Sequence, residues 1–355
     1  MQIRRRLFAF ALPAALVCAA STTSPHASDK PSWTEQARRD ALRRAVVWQP
    51  PPTSIESADL ARTPGTWPDE VRCKFKVDAV NGLTPKFECE LADGEVVKVK
   101  YSGPEPYGEV AASRLLRTLG FAADRVSFVK RVRCYGCPHF PFPTLKVVTL
   151  VGAEKLFARG LDYDSAVDFD WVSVERKFSG EQIETPDGRG WAFHELAKVP
   201  TASRVHADAL TLMAVFLAHW DNKPENQRLV CLSGKPARDG RCARPLAMLQ
   251  DVGGTFGPRK TDLDGWRDAP IWKDRPSCTI SMQTLPHGGA TFTDTRISEK
   301  GRQFLADRLT RLRPPQIEAL FRGARFDQHD GTIGEWTALF KSRVQSIASG
   351  PACPS

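Results

Sequence analysis

Two short stretches between residues 219 and 253 concentrate oxygen ligands and charge. The first reads His219-Trp220-Asp221-Asn222-Lys223-Pro224-Glu225-Asn226. The second begins just before the residue twenty-five positions beyond Asn226 and reads Gln250-Asp251-Val252-Gly253. Asp221, Asn226 and Asp251 supply two carboxylates and an amide, hard oxygen donors of the kind a small divalent cation prefers. Lys223 adds a positive charge within the first stretch. Upstream, Lys98 and Lys100 sit two residues apart, so an extended chain turns both to one face. Glu109 follows shortly after.

The elements around these residues define how they could meet. Arg72 to Ala79 and Lys86 to Leu91 alternate as strands, and Ala92-Asp93-Gly94 reads as a hairpin turn into a strand from Glu95 to Tyr101. A helix is expected from Tyr107 to Leu119, with Val110, Leu115, Leu116 and Leu119 on one face and Gly120 as its stop. Further strands are expected at Arg125 to Arg133, Leu145 to Leu150 and Asp170 to Phe178. The second half reads as helices at Ser203 to His219, Ser298 to Leu312, Pro314 to Phe321 and Ile333 to Ile347, with short strands at Gln227 to Cys231 and Pro245 to Gln250. The first acidic stretch therefore lies between a helix and a strand. Trp191, Phe216 and Trp336 are expected in the core.

In this context the first stretch resembles the catalytic loop of protein kinases, H-x-D-x-K-x-x-N, and the second their D-x-G metal motif. Lys100-Tyr101-Ser102-Gly103 resembles the lysine-to-glycine step of phosphatidylinositol-kinase-like and other atypical kinases, and Gly94 to Gly120 is similar to the first lobe of HipA-like and secretory-pathway kinases. The resemblance spans about residues 71 to 325. It implies an α+β, two-lobed fold, with a strand-rich N-lobe over 71–180 and a helical C-lobe over 181–355. It implies that Asp221 orients an acceptor hydroxyl, that Lys223 offsets phosphate charge, and that Asn226 and Asp251 hold Mg2+ or Mn2+. Lys100, favoured over Lys98, would bind the ATP phosphates and pair with Glu109. Gly253 and Gly254 would let the backbone turn beside the metal, and His219 would brace the loop.

The chain also departs from that pattern. No G-x-G-x-x-G precedes the lysine strand, so either Val80-Asn81-Gly82 or Ala92-Asp93-Gly94 would cover the phosphates. Trp220 stands where an arginine is usual, and no A-P-E follows. The acceptor, a hydroxyl of a protein or an envelope glycan, stays open. A binding module that keeps the fold without catalysis and a kinase-like nucleotidyl transferase are the alternatives.

Composition sets the wider frame. The chain has 355 residues, 41% hydrophobic and 26% charged, which excludes disorder as the whole answer. Its formal charge of +9 suits anionic partners such as nucleotides, and no nucleic acid is expected. Arg4 to Arg6 followed by the apolar Leu7 to Ala20 has the layout of a secretory signal peptide over 1–20. Periplasmic or secreted localisation follows, with no transmembrane helix in the mature chain. A lipid anchor on Cys18 and an uncleaved anchor are the minor readings, because Val17 is bulky for a lipobox. Residues 21–70 read as an appendage, a helix from Trp33 to Trp48 and a linker opened by Pro50-Pro51-Pro52.

Eight of the nine cysteines lie beyond residue 20, an even number that in an exported chain reads as disulfides. Cys73 with Cys89 and Cys231 with Cys242 are local staples, and Cys278 with Cys353 pair by elimination. Cys134 and Cys137 form a C-x-x-C unit, read as a structural disulfide before half a zinc site or a redox pair. His139, His194, His206, His287 and His329 show no metal-ligand spacing.

Overall fold

The structure is a computed structural model, and its description covers residues 33–62, 67–185, 188–196, 201–232, 241–280, 282, 285–286 and 294–354, with the side chains of 201–203 left out. The leader expected over residues 1–20, with Cys18, and His287 lie outside the described residues. Helix α1 (Glu35–Arg43) starts where the Thr34 hydroxyl accepts the Ala37 N–H at 3.1 Å, an N-cap worth ~1 kcal/mol. Within the stretch the sequence set apart as an appendage, residues 33–60 are instead built into the main core. Trp33, Leu42, Val47, Ile55 and Leu60 are all buried there, and Val46 pairs with Leu246. The proline run misled, because composition describes the backbone and not what the flanking apolar side chains touch.

Five strands close a barrel: β1 (Glu70–Lys76), β2 (Lys86–Glu90), β3 (Val96–Lys100), β4 (Arg125–Tyr135) and β5 (Ala166–Arg176). Their order is β1-β2-β3-β5-β4, and β4 returns to β1 in parallel with Cys73 level with Cys134. Alternation decides which side chains face inward. Val71, Cys73, Phe75, Phe87, Cys89, Val97, Val99, Val132, Cys134, Val172 and Val174 share a core of their own inside the barrel. Burying each of the larger apolar side chains is worth roughly 1.5–3 kcal/mol. The turn between β2 and β3 forms where expected, with Gly94 at φ +82° and the Asp93 carboxylate accepting the Glu95 N–H.

Helix α2 (Glu105–Thr118) connects β3 to β4 and stops at Gly120, whose φ of +91° suits glycine. Between β4 and β5 come α3 (Pro141–Leu150) and α4 (Glu154–Arg159). The expected strand from Leu145 to Leu150 is therefore a helix. Pro141 and Pro143 suit a first helical turn, and Pro141, Leu145 and Val148 are the residues that bury, the last two three apart. A short apolar run with two valines does not by itself distinguish strand from helix.

The rest of the chain surrounds the larger core. Strand β6 (Glu181–Gln182) pairs with the hairpin of β7 (Gln227–Cys231) and β8 (Pro245–Leu249). Helices α5 (Phe193–Leu196) and α6 (Thr201–Phe216) precede that hairpin. After it come α7 (Leu263–Asp268), the small sheet of β9 (Trp272–Asp274), β10 (Thr279–Ile280) and β11 (Thr295–Arg296), and helices α8 (Glu299–Thr310), α9 (Pro314–Gly323) and α10 (Ile333–Ala348). Trp191, Phe216 and Trp336 are buried in this core, as expected. Arg343 of α10 is buried, and among the described residues no carboxylate pairs with it. Its guanidinium donates to the carbonyls of Val215, Phe216, Trp266 and Ala269, and burial pushes its pKa down to about 9.

The fold is thus mixed α+β, with strands dominating the first half and helices the second. Four disulfides join Cys73 to Cys89, Cys134 to Cys137, Cys231 to Cys242 and Cys278 to Cys353. All four pairings are those expected, and they are compatible with an extracytoplasmic protein. Among the described residues no helix is long and apolar enough to cross a membrane.

Candidate functional site

Lys98 and Lys100 leave β3 on the same face, and each meets acid. Lys100 Nζ lies 2.7 Å from Glu105 Oε1, 2.7 Å from Glu109 Oε1 and 3.6 Å from Asp251 Oδ1. Glu105 and Glu109 stand four apart on α2, so one helix face presents both. Lys98 instead sits between the two oxygens of Glu175 on β5, at 2.7 and 2.8 Å. Of the two lysines, Lys100 is therefore the one joined to Glu109 and close to Asp251. Glu105 was not anticipated. The helix was expected to begin at Tyr107, which left Glu105 outside it, although its four-residue spacing from Glu109 was there to be read.

The acidic loop is set by backbone bonds. The β7–β8 hairpin places Gln227 opposite Leu249, so the residues flanking that pair, Asn226 and Gln250, are brought together. The Asn226 carbonyl accepts the N–H groups of Gln250 (2.9 Å) and Asp251 (3.2 Å), and Trp220 N–H donates to Gly254 O at 3.1 Å. Within the loop, Asn222 Nδ2 donates to His219 O at 2.8 Å and Asn226 Nδ2 to Asp221 O at 2.6 Å. The amide oxygen of Asn226 is then left to face another partner. Asp221 is partly exposed and holds Lys223 Nζ at 3.0 Å.

Gly253 and Gly254 matter for space. Neither has a positive φ. A Cβ on Gly253 would lie 2.1 Å from Glu105 Cγ, and one on Gly254 would lie 2.8 Å from Asp221 Cβ. The two glycines let the segment after Asp251 approach both α2 and the acidic loop, so the expected tight turn gives way to close approach. His219 is buried, and burial, opposed by Asp221, Asp251 and the Gly254 backbone, pushes its pKa down to about 4. Its carbonyl accepts the Asn222 amide, so it braces the loop through its backbone.

Two further groups close around Glu105. Lys260, from the segment after Gly254, ion-pairs with Glu105 Oε2, and the Thr84 hydroxyl donates to the same oxygen. Thr84 belongs to the loop between β1 and β2. That loop, which holds Val80-Asn81-Gly82, is at the Lys100 end of the barrel. Ala92-Asp93-Gly94 is at the other end, because Lys86 pairs with Lys100 while Glu90 pairs with Val96. The Ala92 alternative is thereby removed.

Charge is unevenly shared in this cluster. Burial works to raise the Asp251 pKa, but the ammonium groups of Lys100, Lys98 and Lys86 outweigh it and hold the carboxyl well below its usual range. Glu105 is likewise brought down to about 2, burial being overcome by Lys100. Glu109 goes the other way. Burial, opposed by Lys100 but joined by Glu175, Asp251 and Glu105, pushes it up to about 8, and its Oε2 is buried without a hydrogen bond. Lys100 itself is held charged, against burial, by Asp251, Glu109 and Glu105.

As a donor set, Asp251 carboxylate and Asn226 amide oxygens fit a hard divalent cation, and the several ammonium groups beside Asp251 fit an anion such as a polyphosphate. Asp221, a partly exposed carboxylate beside Lys223, fits a hydroxyl donor. No family model and no curated protein matches the chain. Among solved structures it is similar to the Helicobacter pylori proinflammatory kinase CtkA, at 10% identity and a TM-score of 0.39, over 78% of this chain and 92% of that one. A likeness that distant carries no argument about this chain.

Proposed function

We propose that this chain is an exported, kinase-like phosphotransferase that uses ATP and Mg2+ or Mn2+ to phosphorylate a hydroxyl of a protein or an envelope glycan. The observation that supports it is the meeting of Lys100, Asp251 and the Asp221–Asn226 loop, which come from three separate parts of the chain. Lys100, fixed by Glu105 and Glu109, holds the nucleotide phosphates. Asn226 and Asp251 hold the cation, which neutralises phosphate charge when bound. Asp221 orients the acceptor hydroxyl and takes its proton, and Lys223 lies beside it against the charge of the transferred group. The loop bearing Val80, Asn81 and Gly82 covers the phosphates.

The test is thermal shift of oxidised protein lacking residues 1–20, with ATP and each metal, beside Asp251→Ala. A metal-dependent rise that Asp251→Ala abolishes is expected, because a ligand that binds only the folded state stabilises it. No rise with either metal, in protein shown to be folded, sinks the proposal. Product mass then separates the chemistry: a gain of one phosphate marks a kinase, and a gain of a nucleotide marks nucleotidyl transfer. Nucleotide binding with neither product marks a non-catalytic module.

A further inference from the structure

Three strands of the barrel each send one sulfur inward: Cys73 from β1, Cys89 from β2 and Cys134 from β4. All three residues are buried, and their sulfurs lie within 4.8 Å of one another. Cys89 Sγ and Cys134 Sγ, which belong to different disulfides, are 3.9 Å apart. The outer sulfur of the second disulfide, Cys137, is half-buried at the end of β4. Cys73 lines a pocket of about 450 Å3 with Arg72, Lys74, Leu91 and Tyr135. Disulfides in contact are not chemically independent. A thiolate released from one is already placed beside the other, and exchange proceeds by thiolate attack on a disulfide sulfur.

We propose that Cys134–Cys137 and Cys73–Cys89 form one redox site, which takes electrons from an external dithiol at Cys137 and delivers a thiol at Cys73. The external thiolate attacks Cys137 Sγ, a mixed disulfide forms, and Cys134 leaves as a thiolate. Cys134 then attacks Cys89 Sγ. The Cys89–Cys134 bond forms, the Cys73–Cys89 bond breaks, and Cys73 leaves with the electron pair. The second thiol of the reductant attacks the mixed disulfide, frees Cys137 and leaves as the oxidised reductant. Two electrons and two protons pass to the protein, the protons ending on Cys73 and Cys137. The surviving disulfide now links β2 to β4 and no longer β1 to β2. The inference uses none of the residues of the phosphotransferase proposal and stands apart from it.

The experiment treats oxidised full chain with limiting dithiothreitol, blocks thiols with iodoacetamide and maps the products by peptide mass spectrometry. Blocked Cys73 and Cys137 with a Cys89–Cys134 linkage are expected. Cys134 and Cys137 blocked as a pair with Cys73–Cys89 intact, or release of Cys89 in place of Cys73, overturns the proposal. Cys137→Ser gives a second reading, since it leaves a Cys134 thiol without any reductant. The same Cys89–Cys134 linkage and a blocked Cys73 are expected there. If that variant fails to fold, the limiting reduction of the unaltered chain still decides.

Discussion

Lys98 and Lys100 are two residues apart on one strand face, yet the protein surrounds them differently. Lys98 has one acid, Glu175, and occupies both of its oxygens. Behind that pair lies Asp124, whose carboxylate accepts the Phe178 N–H and faces Arg228 at 3.8 Å. Lys100 has Glu105 and Glu109 in contact and Asp251 just beyond. The first arrangement is closed, with charge matched one to one. The second has more acid than the single lysine can satisfy, and burial with the neighbouring acids raises the Glu109 pKa. A closed pair serves structure, whereas an oversupplied one can exchange partners with an incoming ligand.

The sharpest way to break this comparison is to replace each lysine by methionine. Lys100→Met is expected to abolish the nucleotide-dependent thermal shift and lower phosphotransfer by about 10²–10³-fold, the scale for losing one preorganised charge-stabilising group. Retention of both would place Lys100 outside the site. Lys98→Met is expected to cost ~3–5 kcal/mol in denaturant unfolding, because it strands buried Glu175. Adding Glu175→Leu should restore much of that loss, since an apolar pair of similar volume avoids the uncompensated charge. A double variant no better than the single one would contradict the closed-pair reading.

Titration sharpens the contrast further. The folded-state pKa of Glu109 is raised from 4.5 to about 8, so its contribution to stability is full below the unfolded value and is lost as pH rises through about 8. Stability measured across that window should therefore decline, and Glu109→Gln should flatten the decline. Asp124, which burial and Glu175 raise to about 7, adds to the decline, and His219, lowered to about 4, opposes it below about 6.5. An unchanged slope in Glu109→Gln would mean that the carboxyl is not protonated in the folded protein. The smallest effect is expected from Lys260→Met. Its ammonium is partly exposed, and such pairs are worth ~0–1 kcal/mol. A loss approaching that of Lys98→Met would show that Glu105 depends on Lys260 as strictly as Glu175 depends on Lys98.

The parts of this site that were legible in the sequence are those carried by local spacing. The Asp221-to-Asn226 stretch, the Gly residues after Asp251, and Lys100 ahead of a helix all announce themselves within a few residues. Even so, the reason for Gly253 and Gly254 was misjudged, because close approach of α2 is a tertiary fact. Glu105 offered only its spacing from Glu109, and Thr84 and Lys260 could not be ranked at all. They converge from 155 residues of sequence separation between Glu105 and Lys260 alone, and nothing near Lys260 signals that partner. The same limit explains the N-terminal stretch, whose Trp33 and Leu60 find their neighbours only in the folded core. Cysteine pairing was more readable, since three of the four bridges close short loops.

Arg343 bears on when the site can exist. Its guanidinium ties α10 to the carbonyls at the end of α6, immediately before the 219–226 loop. Arg343 lies 127 residues beyond Phe216, so one anchor of the loop is synthesised long after the loop itself. A nascent chain that has yet to release Arg343 thus carries Asp221 and Asn226 without the support that positions them. The site is a late product of assembly, whatever order its residues emerge in. Hydrogen exchange across 217–226 in an Arg343→Met chain is expected to speed up ahead of exchange in the barrel strands, and equal protection in both regions would dissolve that link.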